Sequence, residues 1–165
     1  MNCGYCGKSG CTEKREQHVF VESGLKNVTL ANVPVRRCDS CGEVEVLIPR
    51  LPELHRLLAE MLIRKESNLA AEEFRFLRKH LGYSSSDFAK KLGVTPETIS
   101  RWESGKHPLD PPADRLIRMM VATSKPVNRY PEEIFPDQVV SKQKARPKAM
   151  HLAAPRRETG AWALA

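Results

Sequence analysis

Residues 84–105 read SSSDFAKKLGVTPETISRWESG, and their punctuation outlines two short helices with a turn between them. Ser84, with Asp87 three residues on, resembles a capping box at the start of the first helix. Phe88, Ala89 and Leu92 face inward, and Gly93 ends the helix. The small Ala89 lets a second helix approach closely, and Val94 plugs the space between the two. Thr95 caps the second helix and Pro96 takes its first position. Ile99 and Trp102 anchor it and Gly105 stops it, which leaves Glu97, Thr98, Ser100 and Arg101 on or near the outer face. Two helices joined by a glycine turn, the second exposed and polar, make a helix-turn-helix. The second helix of that motif enters a DNA major groove with its N-terminal residues at base edges.

The outer-face residues suit that task. Arg101 can pair bidentate with guanine O6 and N7. Glu97 accepts from a cytosine amino group, or repels wrong acceptors and phosphate. Ser84, Ser85, Thr95 and Thr98 suit phosphate oxygens near helix N-termini. Lys106 and His107 follow the helix and are placed to meet the backbone. Any one of these residues reads equally as the solvated face of a plain helical bundle; the cap, turn, plug and anchor together are what single out the motif.

Outward from this segment the same punctuation continues. A helix is predicted over 70–81, with Phe74, Leu77 and Leu81 inward and Gly82 as its stop. Another runs from Asp110-Pro111 through Leu116, Ile117, Met120 and Val121, a stripe divided between core and a candidate dimer surface. Residues 69–124 thus form an all-α unit. Before it, Leu54, Leu57, Leu58, Met61 and Leu62 put one apolar stripe on a linker helix within 51–68. That stripe suits packing on either neighbour or on a second copy.

Residues 1–50 are turn-rich and β-like. Strands are expected at His18–Glu22, in two short runs around Val28–Leu30 and Val33–Val35, and at Val44–Ile48, with Pro34 arguing for a sheet edge. This block has too few large apolar residues to stabilise itself by burial. It does carry Cys3-x-x-Cys6-Gly7 and Cys38-x-x-Cys41-Gly42. Two intervening residues let both sulfurs of a pair face one point, and the glycine allows the tight turn that follows. Two such knuckles make a closed Cys₄ shell, which suits one structural zinc per chain and leaves no position for a catalytic water. The 31-residue spacer is long enough to hold the strands. Cys11 is read as a free thiol outside the shell, and neither His18 nor His55 as a ligand.

The 165 residues are too few for an α/β barrel or a kinase-sized unit. With 27 basic against 20 acidic side chains the net charge is +7, which favours a polyanionic partner. Residues 125–165 hold 8 basic and 4 acidic groups, a basic tail expected to be disordered. No membrane span, signal peptide, H-E-x-x-H, G-x-S-x-G or phosphate-cradling loop is evident, so the expectation is a cytoplasmic protein that is not an enzyme. The fold class is α+β: a small β-rich Cys₄ domain, then the helical domain.

Over residues 1–123, the paired knuckles at Cys3, Cys6, Cys38 and Cys41, followed by Thr98-Ile99-Ser100-Arg101-Trp102-Glu103-Ser104-Gly105, resemble the MqsA (YgiT-type) antitoxins, with their Xre/Cro-type helix-turn-helix. The resemblance implies a structural zinc and an N-terminal domain that engages an RNA-cleaving toxin. It also implies a homodimer that binds a palindromic double-stranded operator and represses its own operon as part of a type II toxin–antitoxin system. The family's base-reading pair falls on Glu97 and Arg101; the arginine matches, whereas Glu97 replaces an asparagine, so the operator should differ. Ser85 stands where many Xre proteins carry glutamine. The residues alone leave open a stand-alone regulator of the same build with no toxin.

Overall fold

The structure, a computed structural model, describes residues 2–124, 149–153 and 163–164. In chain order these form β1 (Cys11–Val19), a 3₁₀ turn (Val21–Ser23), β2 (Val28–Cys38), β3 (Val44–Val46), α1 (Leu51–Ile63), α2 (Ala71–His80), α3 (Ser85–Leu92), α4 (Pro96–Glu103), α5 (Pro111–Thr123), β4 (Met150–Ala153) and β5 (Ala163–Leu164). The architecture is α+β, a strand-rich end followed by a helical module. No helix among the described residues is long and apolar enough to cross a membrane.

The sheet is built on β2. β1 pairs with it antiparallel from Cys11↔Cys38 to Val19↔Thr29, with an irregularity between Glu16 and His18. β3 and β4 share its other side, β3 antiparallel opposite Val35–Arg37 and β4 parallel opposite Val28–Ala31. β5 pairs with β4. Three sequence expectations are corrected here. The first strand lies earlier than His18–Glu22, because Gly24, at φ +79°, closes a 3₁₀ turn over 21–23. The two runs around 28–30 and 33–35 are one continuous central strand, and Pro34 does not mark an edge strand. The Pro34 carbonyl accepts from Leu47 N–H at 2.9 Å, on the side where β3 has already ended. A missing proline N–H is tolerated in that gap. Finally, within the tail expected to be disordered, Met150–Ala153 is a strand with Met150 and Leu152 buried. The rest of that tail, 125–148 and 154–162 with Trp162, lies outside the described residues.

A single apolar core joins the two ends. From the first fifty residues it takes Phe20, Leu25, Val28, Leu30 and Val33, and it continues through Leu54, Leu58 and Leu62 of α1 into Phe74, Leu77, Phe88, Ile99, Trp102 and Ile117. The α1 stripe therefore packs on both neighbours. His55 of α1 lies between Phe20 (6.0 Å, stacked) and Phe76 (5.8 Å, edge-on), and burial pushes its pKa down. Lys26 N–H also donates to Glu72 across the junction at 3.3 Å.

Polar groups lock the helices. Arg118, 1% exposed, pairs with Asp114 and donates to the carbonyls of Ile63, Lys65 and Ser67, while Asp114 accepts from Leu69 N–H at 2.7 Å. The Ile63 carbonyl at the end of α1, the loop carbonyls of Lys65 and Ser67 and the Leu69 amide thereby find partners. Glu73 accepts from Ala70 N–H and from Lys65.

Candidate metal centre and nucleic-acid interface

The four cysteines of the two knuckles converge, their sulfurs all within 4.8 Å of one another. Cys3 and Cys41 sulfurs are 3.7 Å apart, as are those of Cys6 and Cys38. A tetrahedron with vertices about 2.3 Å from its centre has an edge of about 3.8 Å, so these spacings fit a tetrahedral thiolate shell. The knuckles are built alike. Gly7 N–H donates to the Cys3 carbonyl and Gly42 N–H to the Cys38 carbonyl, both at 2.9 Å, and both glycines take φ near +70° (71° and 74°). A side chain at either position would be strained. The turn aims backbone amides at sulfur. N–H groups of Cys41 and Ser40 lower the Cys38 pKa to about 6, and those of Cys6 and Tyr5 lower that of Cys3. At Cys41, by contrast, the Glu43 amide is outweighed by burial and by the sulfurs of Cys38, Cys6 and Cys3, which push the thiol up to about 12. Amides that stabilise thiolate are what a metal ligand needs.

Cys11 lies across the β1–β2 ladder from Cys38 but is not one of the four. Burial first, and then Cys38, push its thiol pKa up. His18 bonds to Glu22 at 3.3 Å and His55 is held between rings.

In the helical module the local chemistry sets the reading helix. Ser84 Oγ accepts from Asp87 N–H at 3.1 Å, which starts α3, and Gly93 at φ +68° ends it. Thr95 Oγ1 accepts from Thr98 N–H at 3.3 Å and Pro96 opens α4. Ile99 and Trp102 are buried, and Phe74 meets the indole edge-on at 5.8 Å. Glu97, Ser100, Arg101 and Lys106 are exposed and, with Pro96, line one shallow open groove. The Glu97 backbone N–H and the Thr95 hydroxyl, helped by Arg101, hold the Glu97 carboxyl below its usual range. The groove thus sets a carboxylate one turn from an exposed guanidinium.

The other expected contacts sit apart from that groove. Ser84 and Thr95 spend their hydroxyls as caps, Ser84 also donating to Asp87 at 2.6 Å, and Thr95 lying 3.2 Å from the Thr98 hydroxyl. Ser85 and Thr98 are half-buried. Of the α5 stripe, Ile117 and Val121 belong to the core, Met120 is half-buried against it and Leu116 is exposed; Met119, outside the stripe, is exposed as well.

One pair that positions α4 was not read from the sequence. Arg78 of α2 grips Glu103 at the end of α4 with two bonds, 2.6 and 3.2 Å, and Arg75 donates to the Glu103 carbonyl at 2.6 Å. The signal was present: Arg78 is four residues after Phe74 and Glu103 four after Ile99, so each charge falls on the apolar face of its helix.

Residues 74–124 match the Helix-turn-helix family model HTH_3, just under one third of the chain. The match begins in α2 and ends just after α5, so α2–α5 form a helix-turn-helix of the DNA-binding kind. No curated protein and no solved structure matches the chain.

Proposed function

We propose that the protein is a sequence-specific transcriptional repressor and the antitoxin of a type II toxin–antitoxin pair, acting on its own operon. The observation that carries the DNA half is α4. It is pinned from behind by Ile99, Trp102 and the Arg78–Glu103 clamp, while Glu97, Ser100, Arg101 and Lys106 face outward together. A clamped helix holds its side chains at fixed positions along a groove, which is what reading base edges demands. Arg101 donates to guanine O6 and N7. The ionised Glu97 accepts from a cytosine amino group and repels acceptors at neighbouring positions. Lys106 meets phosphate, and the N-terminal amides of α3 and α4 add positive potential there.

Four thiolates leave no open position, so the zinc we assign to them, one per chain, is structural. When bound it crosslinks the two knuckles; no catalytic step is assigned to it, and the protein is not an enzyme. A homodimer with half-sites about 34 Å apart supplies the affinity that one short helix lacks, and the exposed Leu116 and Met119 of α5 suit its surface. The antitoxin half rests on the resemblance of knuckles plus helix-turn-helix to the MqsA antitoxins, with the N-terminal domain as the surface that meets an RNA-cleaving toxin.

Two measurements test this reading. Binding of the zinc-loaded chain to duplex from upstream of its own coding sequence should exceed binding to unrelated duplex by about 10³-fold or more at the same salt concentration. Equal affinity would remove the repressor. Copurification from the native host should bring down a small ribonuclease; its absence, with operator binding intact, would leave a stand-alone regulator.

A further inference from the structure

The chain has five cysteines, and four of them form the cluster. The fifth, Cys11, stands directly opposite Cys38 on the β1–β2 ladder. One step along the ladder, Asp39 N–H donates to the Gly10 carbonyl at 3.1 Å, so Gly10 and Asp39 are a hydrogen-bonded pair. Such pairs alternate along an antiparallel ladder with pairs that exchange no main-chain bond. Cys11 and Cys38 are therefore a pair of the second kind. In agreement, the Cys38 N–H points away from β1 and donates to the Glu43 carbonyl at 2.9 Å.

That position is the one on a ladder where two sulfurs meet most easily. The α-carbons of such a pair are about 4.5 Å apart, and both side chains stand on one face of the sheet. A disulfide takes a span of roughly 4.4–6.8 Å between α-carbons. A bond between Cys11 and Cys38 thus requires side-chain rotation and no shift of either strand. Two further observations single out the pair. Cys38 belongs to the four-sulfur cluster and Cys11 does not, so with a metal bound Cys11 is a neighbouring thiol that the ion leaves unengaged. An open cavity of about 350 Å³ is lined by Cys3, Cys11 and Cys38, which gives a small solute access to these sulfurs.

We propose that Cys11 and Cys38 are a peroxide-sensitive pair: oxidation by a hydroperoxide joins them in a disulfide and takes Cys38 out of the metal shell. The proposal rests on the reading of the four cysteines as a zinc site. The Cys38 thiolate attacks one oxygen of hydrogen peroxide. The S–O bond forms, the O–O bond breaks, and the hydroxide that leaves takes a proton from solvent. The Cys11 sulfur then attacks the sulfur of the Cys38 sulfenic acid. The S–S bond forms, the S–O bond breaks, and the departing hydroxide becomes water with the proton that Cys11 gives up. One thiolate, one thiol, one peroxide and one proton become one disulfide and two waters. A second thiol poised beside the first diverts the sulfenic acid into a disulfide, which a thiol reductant reverses, before it reaches the irreversible sulfinic acid. Three sulfurs then remain where four closed the tetrahedron, and the knuckles lose their complete crosslink.

The test uses the full zinc-loaded chain and Cys11→Ala, which should load equally. Both are exposed to hydrogen peroxide, a chromogenic chelator follows the released zinc, and remaining thiols are alkylated. Tandem mass spectrometry then maps the disulfides and separates Cys38 from Cys41. The wild type should give Cys11–Cys38 as its main crosslink and release zinc at least fivefold faster than Cys11→Ala. Dithiothreitol with added zinc should restore one metal per chain. Zinc loss with Cys11 still open to alkylation, or release at the same rate from both chains, would overturn the proposal. A chain that takes up no zinc would instead fault the metal assignment, and the disulfide map would still decide whether the pair forms.

Discussion

At the knuckle end, Cys3, Val35 and Cys38 are buried yet belong to no continuous apolar core, and the order there comes from short turns around four sulfurs. At the helical end, Phe74, Phe88, Ile99, Trp102 and Ile117 interlock, and even the buried charges Arg78, Glu103, Asp114 and Arg118 are paired. The boundary between the two regimes does not fall at the end of the sheet. It falls within it, because Phe20, Leu25, Val28, Leu30 and Val33 already belong to the helical core. One end is built of turns around four sulfurs placed to hold a metal, the other is held by packing, and a single strand, β2, runs from one to the other.

The largest effect that could break this comparison is loss of the metal. Chelation, or Cys38→Ser, removes a contribution of roughly 10 kcal/mol or more from the knuckles. Residues 2–11 and 35–46 should lose amide protection while the helical circular dichroism of α2–α5 persists. Helices that melt together with the knuckles would show that packing alone does not hold the second end.

Next in size is Arg118→Ala. It leaves Asp114 buried without its partner and frees three carbonyls, at a cost of about 3–5 kcal/mol in urea unfolding, with zinc content unchanged. Thr95→Ala removes the α4 cap and should cost about 1 kcal/mol, read in the same titration. Smallest of all, Cys11→Ala should leave the zinc stoichiometry at one per chain, since Cys11 stands outside the four-sulfur cluster. A fall in stoichiometry would make it a ligand.

Local signals carried most of what could be read in the sequence. The Ser84 and Thr95 caps, the Gly93 and Gly105 stops and the Ile99–Trp102 anchor lie within 22 residues, and each depends on neighbours a turn away. The doubled C-x-x-C-G was legible for the same reason. What escaped was set by distant partners. Nothing near Pro34 reveals that β3 ends beside it, and nothing near Met150 reveals that an edge 122 residues earlier needs four residues of cover. Apolar periodicity placed the α1 stripe on a helix but was silent about which neighbour it meets. Arg78 and Glu103 were passed over because charges are usually solvated, although their positions on apolar faces marked them as a buried pair.

The central claim is that the outward face of α4 reads duplex bases. Selection of bound sequences from a random duplex pool, run side by side with the wild-type chain and Arg101→Ala, tests it most directly. The wild type should enrich a palindromic motif, and the variant should lose one guanine position in each half-site while keeping the rest. Failure of the wild type to enrich any motif, or recovery of an identical motif by the variant, would contradict the account.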